Sequence, residues 1–126
     1  MKPESIFLLI ASSGLAPIAL CYGLSPALSL PFLFDIEINT VNTTHIFRAI
    51  MGLYLATGIF WVVGAFVDKM RLPALYNLVV FMVGLAFGRI VSISIDGPPN
   101  ALLIFYLILE FGFGLVGLIM IRRSHQ

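Results

Sequence analysis

The sequence predicts an all-α membrane protein, a polytopic four-helix bundle with its N- and C-termini on the cytoplasmic side. Three observations carry that expectation. Of the 126 residues, 60% are hydrophobic and only 10% are charged. A soluble domain is about a quarter charged, so most of this chain's surface must face lipid. Four apolar stretches of about 20 residues, the length that crosses a bilayer, use most of the chain. The basic residues Lys2, Lys69, Arg71, Arg122 and Arg123 fall at the N-terminus, the second connector and the C-terminus. The first and third connectors carry Asp35, Glu37 and Asp96 and no Lys or Arg. Basic residues stay on the cytoplasmic side, and an even number of spans returns the chain to that side.

The whole chain, 1–126, reads as one domain with spans at about 6–22, 44–66, 73–94 and 101–121. Ser12, Ser13, Gly14 and Ala16 make one side of the first span small, which lets helices approach closely in lipid, and Pro17 is expected to bend it. Residues 23–43 form an interfacial loop. Pro26 and Pro31 break helix there, and Asp35, Glu37 and Asn39 alternate with Ile36, Ile38 and Thr40 as in a short extended piece. Asn42, Thr43 or Thr44 caps the second span. Gly52 begins a small-residue packing face in that span. Pro73 suits the first turn of the third span, where a missing backbone donor costs nothing. Gly84 and Gly88 form a GxxxG packing face. Asp96-Gly97-Pro98-Pro99-Asn100 is a strong turn, and Gly112, Gly114 and Gly117 thin the last span, with Gly114 assigned to helix packing.

The polar residues within these oily spans are few. Arg89 lies in the third span, Glu110 is the last span's only carboxylate, and His45 and Arg48 share a face near the start of the second. At a rise of about 1.5 Å per residue, Arg48 lies about 6 Å inside the outer boundary, Arg89 about 8 Å and Glu110 about 15 Å. A charge near the bilayer centre costs roughly 2.5–3.5 kcal/mol. Arg48 can snorkel to the interface, but Glu110 has too short a stem. Glu110 must be neutralised by a proton or a partner, and Arg89 can meet a carboxylate through two parallel hydrogen bonds. Arg89, Ser92 and Asp96 share one helical face; Tyr106, Glu110, Phe113 and Gly117 share another. The expected polar cluster is therefore His45, Arg48, Arg89, Ser92, Asp96 and Glu110, in the outer half.

Two readings of that cluster stand side by side. Arg89–Glu110 is either a staple of the bundle or the polar wall of a ligand site. Counting Arg48 and Arg89 against Glu110 leaves positive charge, which suits an anionic or carbonyl-bearing lipophile such as a fatty acid, a lipid head group or a quinone. The favoured function is a non-enzymatic membrane module, lipophile-binding or accessory to a larger complex. The alternative is a membrane enzyme or oxidoreductase subunit acting on a lipid or quinone, with Glu110 or His45 as acid/base. No cofactor or metal motif is evident, and the lone Cys21 has no partner to lower its pKa. Membrane lipid is the expected partner, with other membrane subunits or further copies of the chain beside it. A net charge of +1 with no basic patch gives no reason to expect nucleic acid.

The runs His45-x-x-Arg48-Ala49-x-x-Gly52-x-Tyr54 and Gly88-Arg89-x-x-Ser92-x-x-x-Asp96-Gly97-x-Pro99, followed by Glu110, resemble a family of small bacterial four-span membrane proteins. That family is catalogued only as a domain of unknown function and is similar in layout to the DoxX-like group. The resemblance covers most of the chain from Pro17 on. It implies a four-helix membrane fold and a bacterial inner-membrane address. Some DoxX-like proteins accompany quinone-linked oxidoreductases, but the cysteines or ligands that would carry such chemistry are not evident here.

Overall fold

A computed structural model describes residues 2–37 and 40–124. It contains α1 (Pro3–Gly23), α2 (Pro26–Phe34), α3 (Val41–Phe66), α4 (Asp68–Asp96) and α5 (Ala101–Ser124). All of these except α2 are long and apolar enough to cross a membrane. Each long helix runs antiparallel to its packing neighbour, as the pairings show. Gly23 meets Met51 and Gly58 meets Ser12 along α1 and α3. Trp61 meets Asn77 along α3 and α4, and Gly117 meets Val79 along α4 and α5. The Phe7 and Phe113 rings stack at 5.6 Å and bring α1 against α5.

The core is apolar and sits along the bundle axis. Leu8, Trp61, Leu75 and Leu78 are fully buried. Phe87, Phe111, Ile108 and Leu115 point outward, as expected where the solvent is hydrocarbon. Hydrogen bonds between neutral side chains and neighbouring helices add to this packing. The Trp61 indole donates to Asn77 Oδ1 at 2.9 Å, and the Ser12 hydroxyl donates to the Gly58 carbonyl at 2.9 Å. Such bonds average about 0.6 kcal/mol in a membrane bundle, so packing carries most of the association.

The structure differs from the sequence expectation at several element ends. Residues 26–34 are helical despite two prolines. Pro26 sits in the first turn, where no donor is needed. Pro31 sits in the middle, where it removes the donor that would reach Ala27. Tertiary contact compensates: Pro26, Leu30 and Phe34 form a buried stripe, and the Ser29 hydroxyl donates to the Cys21 carbonyl at the end of α1. Asp35 closes α2 in the left-handed region at φ 57°, and the Ile36 amide reaches the Leu30 carbonyl. Ile38 and Asn39, part of the expected extended piece, lie outside the described residues. The cap of α3 is Thr40, whose hydroxyl accepts from the Thr43 amide at 3.1 Å. Neither Asn42, Thr43 nor Thr44 holds that position, because the helix starts earlier than the apolar run. Helix α4 likewise begins at Asp68, so Pro73 lies inside it. Only Val67 separates α3 from α4. Arg71 secures this turn by donating to Asp68 at 2.6 Å and to the Ala65 carbonyl at 3.0 Å.

Of the glycines expected to pack, Gly114 meets a neighbouring helix, and the closest approaches fall at other glycines. A Cβ added at Gly64 would collide with Ala74 Cβ, and one at Gly117 with the Val79 side chain. Gly114 sits against Val83 and Met82, whereas Gly52, Gly84 and Gly88 meet nothing within 4 Å. Gly64→Leu is therefore expected to destabilise the bundle by roughly 1–3 kcal/mol, because the obstructing atom is a rigid Cβ. Gly52→Leu is expected to change little. Detergent-to-SDS unfolding curves of the two variants distinguish these outcomes.

Candidate functional site: an ion pair at the wall of an intramembrane cavity

Helix α4 carries Arg89 two turns before its C-terminal end, and α5 carries Glu110 in the antiparallel register that places it alongside. The Arg89 Nε donates to Glu110 Oε1 at 2.8 Å and Nη2 donates to Oε2 at 3.1 Å. This is the bidentate geometry that best offsets lost hydration. Glu110 is only 7% exposed. The guanidinium also lies 5.9 Å from the Tyr106 ring centroid, a cation–π approach. Of the five N–H groups an arginine carries, these two bonds engage two, and the Tyr22 hydroxyl is a further side-chain hydrogen-bond partner of the guanidinium.

Aromatic rings build the surroundings of the pair. Tyr22, from the last turn of α1, stacks on Phe34 of α2 at 5.4 Å and meets Tyr54 of α3 edge-on at 5.5 Å. Tyr54 in turn meets Phe81 edge-on at 5.1 Å, and Phe34 meets Tyr106 at 6.1 Å. Below these rings lies a cavity of about 90 Å³, bounded by α1, α3, α4 and α5. Its walls include Leu15, Tyr54, Met82, Tyr106 and Phe113, with Arg89 and Glu110 as the charged members. Helix α2 covers its end of the bundle through Phe34, which packs on Tyr22 and Tyr106. Asn100 ties this closure to the α4–α5 turn: its amide donates to the Leu33 carbonyl at 3.1 Å while its Oδ1 caps the Leu103 amide at 3.1 Å.

The six residues expected in one cluster separate into three groups. Glu110 is buried and pairs with the half-buried Arg89. Ser92 and Asp96 are exposed, and the serine hydroxyl donates to the aspartate at 3.1 Å. His45 and Arg48 are exposed and line a different groove, between the start of α3 and Ala27 of α2. Arg48 is thus not counted in the charge of the cavity, and the Arg89–Glu110 pair is formally neutral. The positive surplus read from the sequence lies outside it. Among the described residues no group of three His, Cys, Asp or Glu side chains gathers as a metal site would require.

Sequence reasoning passed over Tyr22 and Phe34 and left Tyr54 undecided. Tyr106 carried a usable signal, four residues before Glu110 on its face. Tyr22 gave none, because it ends one helix beside an irregular-looking loop.

Four apolar spans around a paired charge, with little mass outside them, define a small multi-pass membrane protein that holds an ion pair at an intramembrane cavity. The family model described as "Domain of unknown function (DUF4345)" matches residues 4–121. The chain belongs to that family. No curated protein and no solved structure matches the chain.

Proposed function

We propose that this protein is a non-enzymatic binding module for a neutral, carbonyl-bearing lipophile. It resides in a bacterial inner membrane with both termini in the cytoplasm. One observation carries the binding reading. The cavity is apolar except at a neutral bidentate pair and the phenols of Tyr54 and Tyr106, and the guanidinium keeps N–H groups beyond the two that Glu110 accepts and the one within reach of Tyr22. Donors in an apolar cavity call for an acceptor, and a neutral pair does not call for a counter-charge. A ketone, quinone or ester oxygen satisfies both conditions. A carboxylate would add an uncompensated charge inside the membrane. The orientation reading rests on Lys2, Lys69, Arg71, Arg122 and Arg123, which all lie at the end opposite α2.

The enzymatic alternative loses support from the geometry. It keeps Glu110 as an acid or base beside Arg89 but loses His45 and Arg48, which line another groove.

The test is native mass spectrometry of the full chain released from lipid nanodiscs. Wild type is expected to retain a small lipophile, and an Arg89→Met, Glu110→Leu double variant to lose it. Wild-type protein that emerges bare, or a double variant that keeps the same adduct, would defeat the proposal.

A further inference from the structure

The inner cavity is too small for a whole lipid. At about 90 Å³ it is smaller than a void that holds one benzene ring, roughly 150 Å³. It takes the short end of a molecule, and the remainder must lie elsewhere. A second space adjoins it. A groove of about 360 Å³ runs along the outside of α4 and α5, lined by Gly84, Gly88, Ser92, Ile93, Pro99 and Leu103. Leu85 and Arg89 line this groove as well as the inner cavity. The two spaces therefore share one wall, and the arginine of the ion pair stands in it.

We propose that this groove is the lateral portal and tail site of the ligand. The ligand is a single-chain lipid whose carbonyl sits at Arg89. Its short end enters the cavity, and its long chain lies over Gly84 and Gly88 against the bilayer. The inference rests on the binding reading above and adds the ligand's shape and route. Three facts favour a single chain over other occupants. The groove and the cavity lie on either side of Leu85 and Arg89, so the guanidinium that can hold a carbonyl borders both. From Gly84 to Gly97 it follows α4 for about 20 Å, the scale of an extended acyl chain. Its floor is open, since a Cβ at Gly84 or Gly88 meets no atom within 4 Å. A leucine placed there fills the trough without touching the fold.

Photolabelling of the full chain in nanodiscs tests this with two probes. Both are methyl esters of the same long-chain fatty acid, one with a diazirine beside the carbonyl and one with it near the chain end. In wild type the carbonyl-side probe is expected to label cavity residues such as Leu109 and Phe113. The chain-end probe should label groove residues such as Ile93 and Leu103. In Gly84→Leu and Gly88→Leu the groove labelling should fall severalfold while the protein keeps its wild-type unfolding curve. If the carbonyl-side probe labels the cavity but the chain end labels α1 and α3 instead, the portal is wrong and the binding reading stands. Labelling of both regions that survives the glycine variants also overturns it. So does a wild-type dimer that Gly88→Leu splits with labelling unchanged, which would make the groove a seam between copies. If neither probe labels the cavity in wild type, both proposals fall together.

Discussion

Replacing Glu110 alone with leucine is expected to lower the stability of the bundle by up to about 3 kcal/mol, the lower end of the cost of breaking a buried pair, because it leaves the half-buried Arg89 without its partner. The neighbouring groups cannot make up the loss. The approach to the Tyr106 ring, at 5.9 Å, is worth about 0.5–2 kcal/mol. Replacing both partners, as Arg89→Met with Glu110→Leu, is expected to restore stability to the wild-type level or above it. Apolar side chains of similar volume avoid the desolvation penalty that the charged pair incurs. The three unfolding curves, measured in the same detergent, form the comparison. A Glu110→Leu protein as stable as wild type would mean that Arg89 escapes to water. In that case the pair contributes neither a staple nor a cavity wall. A restored double variant that no longer binds lipophile would separate the structural role of the pair from its binding role.

Phe34→Ala is expected to release α2 from the bundle. Phe34 is buried and holds two aromatic contacts, with Tyr22 at 5.4 Å and with Tyr106 at 6.1 Å. Truncating a buried phenylalanine costs roughly 3–5 kcal/mol. A nine-residue helix has little stability without its packing face, because isolated helices of under about 12 residues are marginal. The sole cysteine of the chain reports the event. Cys21 is half-buried, and its carbonyl accepts the Ser29 hydroxyl of α2. Alkylation of Cys21 by a water-soluble maleimide should accelerate strongly in Phe34→Ala and only slightly in Phe32→Ala, whose ring is 87% exposed. Equal rates in the two variants would mean that Phe34 does not hold the closure.

The pairing of Arg89 with Glu110 was legible in the sequence because it follows from a cost that each residue carries on its own. A carboxylate on a short stem near the middle of an oily span has to be neutralised, and the third span offered Arg89, the deeper of the two arginines inside the spans, on a stem long enough to reach it. Arg48 was not legible in the same way. Its depth is readable, but its direction is not, since helical spacing fixes a residue's angle only relative to its own helix. The glycines make the same point. Gly84 and Gly88 carry the motif, yet Gly64 and Gly117 hold the close contacts. A small residue looks the same in sequence whether it faces a helix, a lipid or a cavity. Proline rules missed α2, because burial of Leu30 and Phe34 outweighs the loss of one backbone hydrogen bond.

By itself the sequence determined that four helices can cross a membrane and that two opposite charges inside them have to meet. Both follow from the bilayer acting as solvent, which sets a length and penalises a lone charge residue by residue. Only the tertiary structure decided that Tyr22, Tyr54 and Tyr106 gather around that pair, that His45 and Arg48 do not, and that α2 is a helix packed on Tyr22 and Tyr106. These depend on how rigid helices rotate against one another. That rotation is set by interlocking side chains across pairs of helices, and no single helix encodes it.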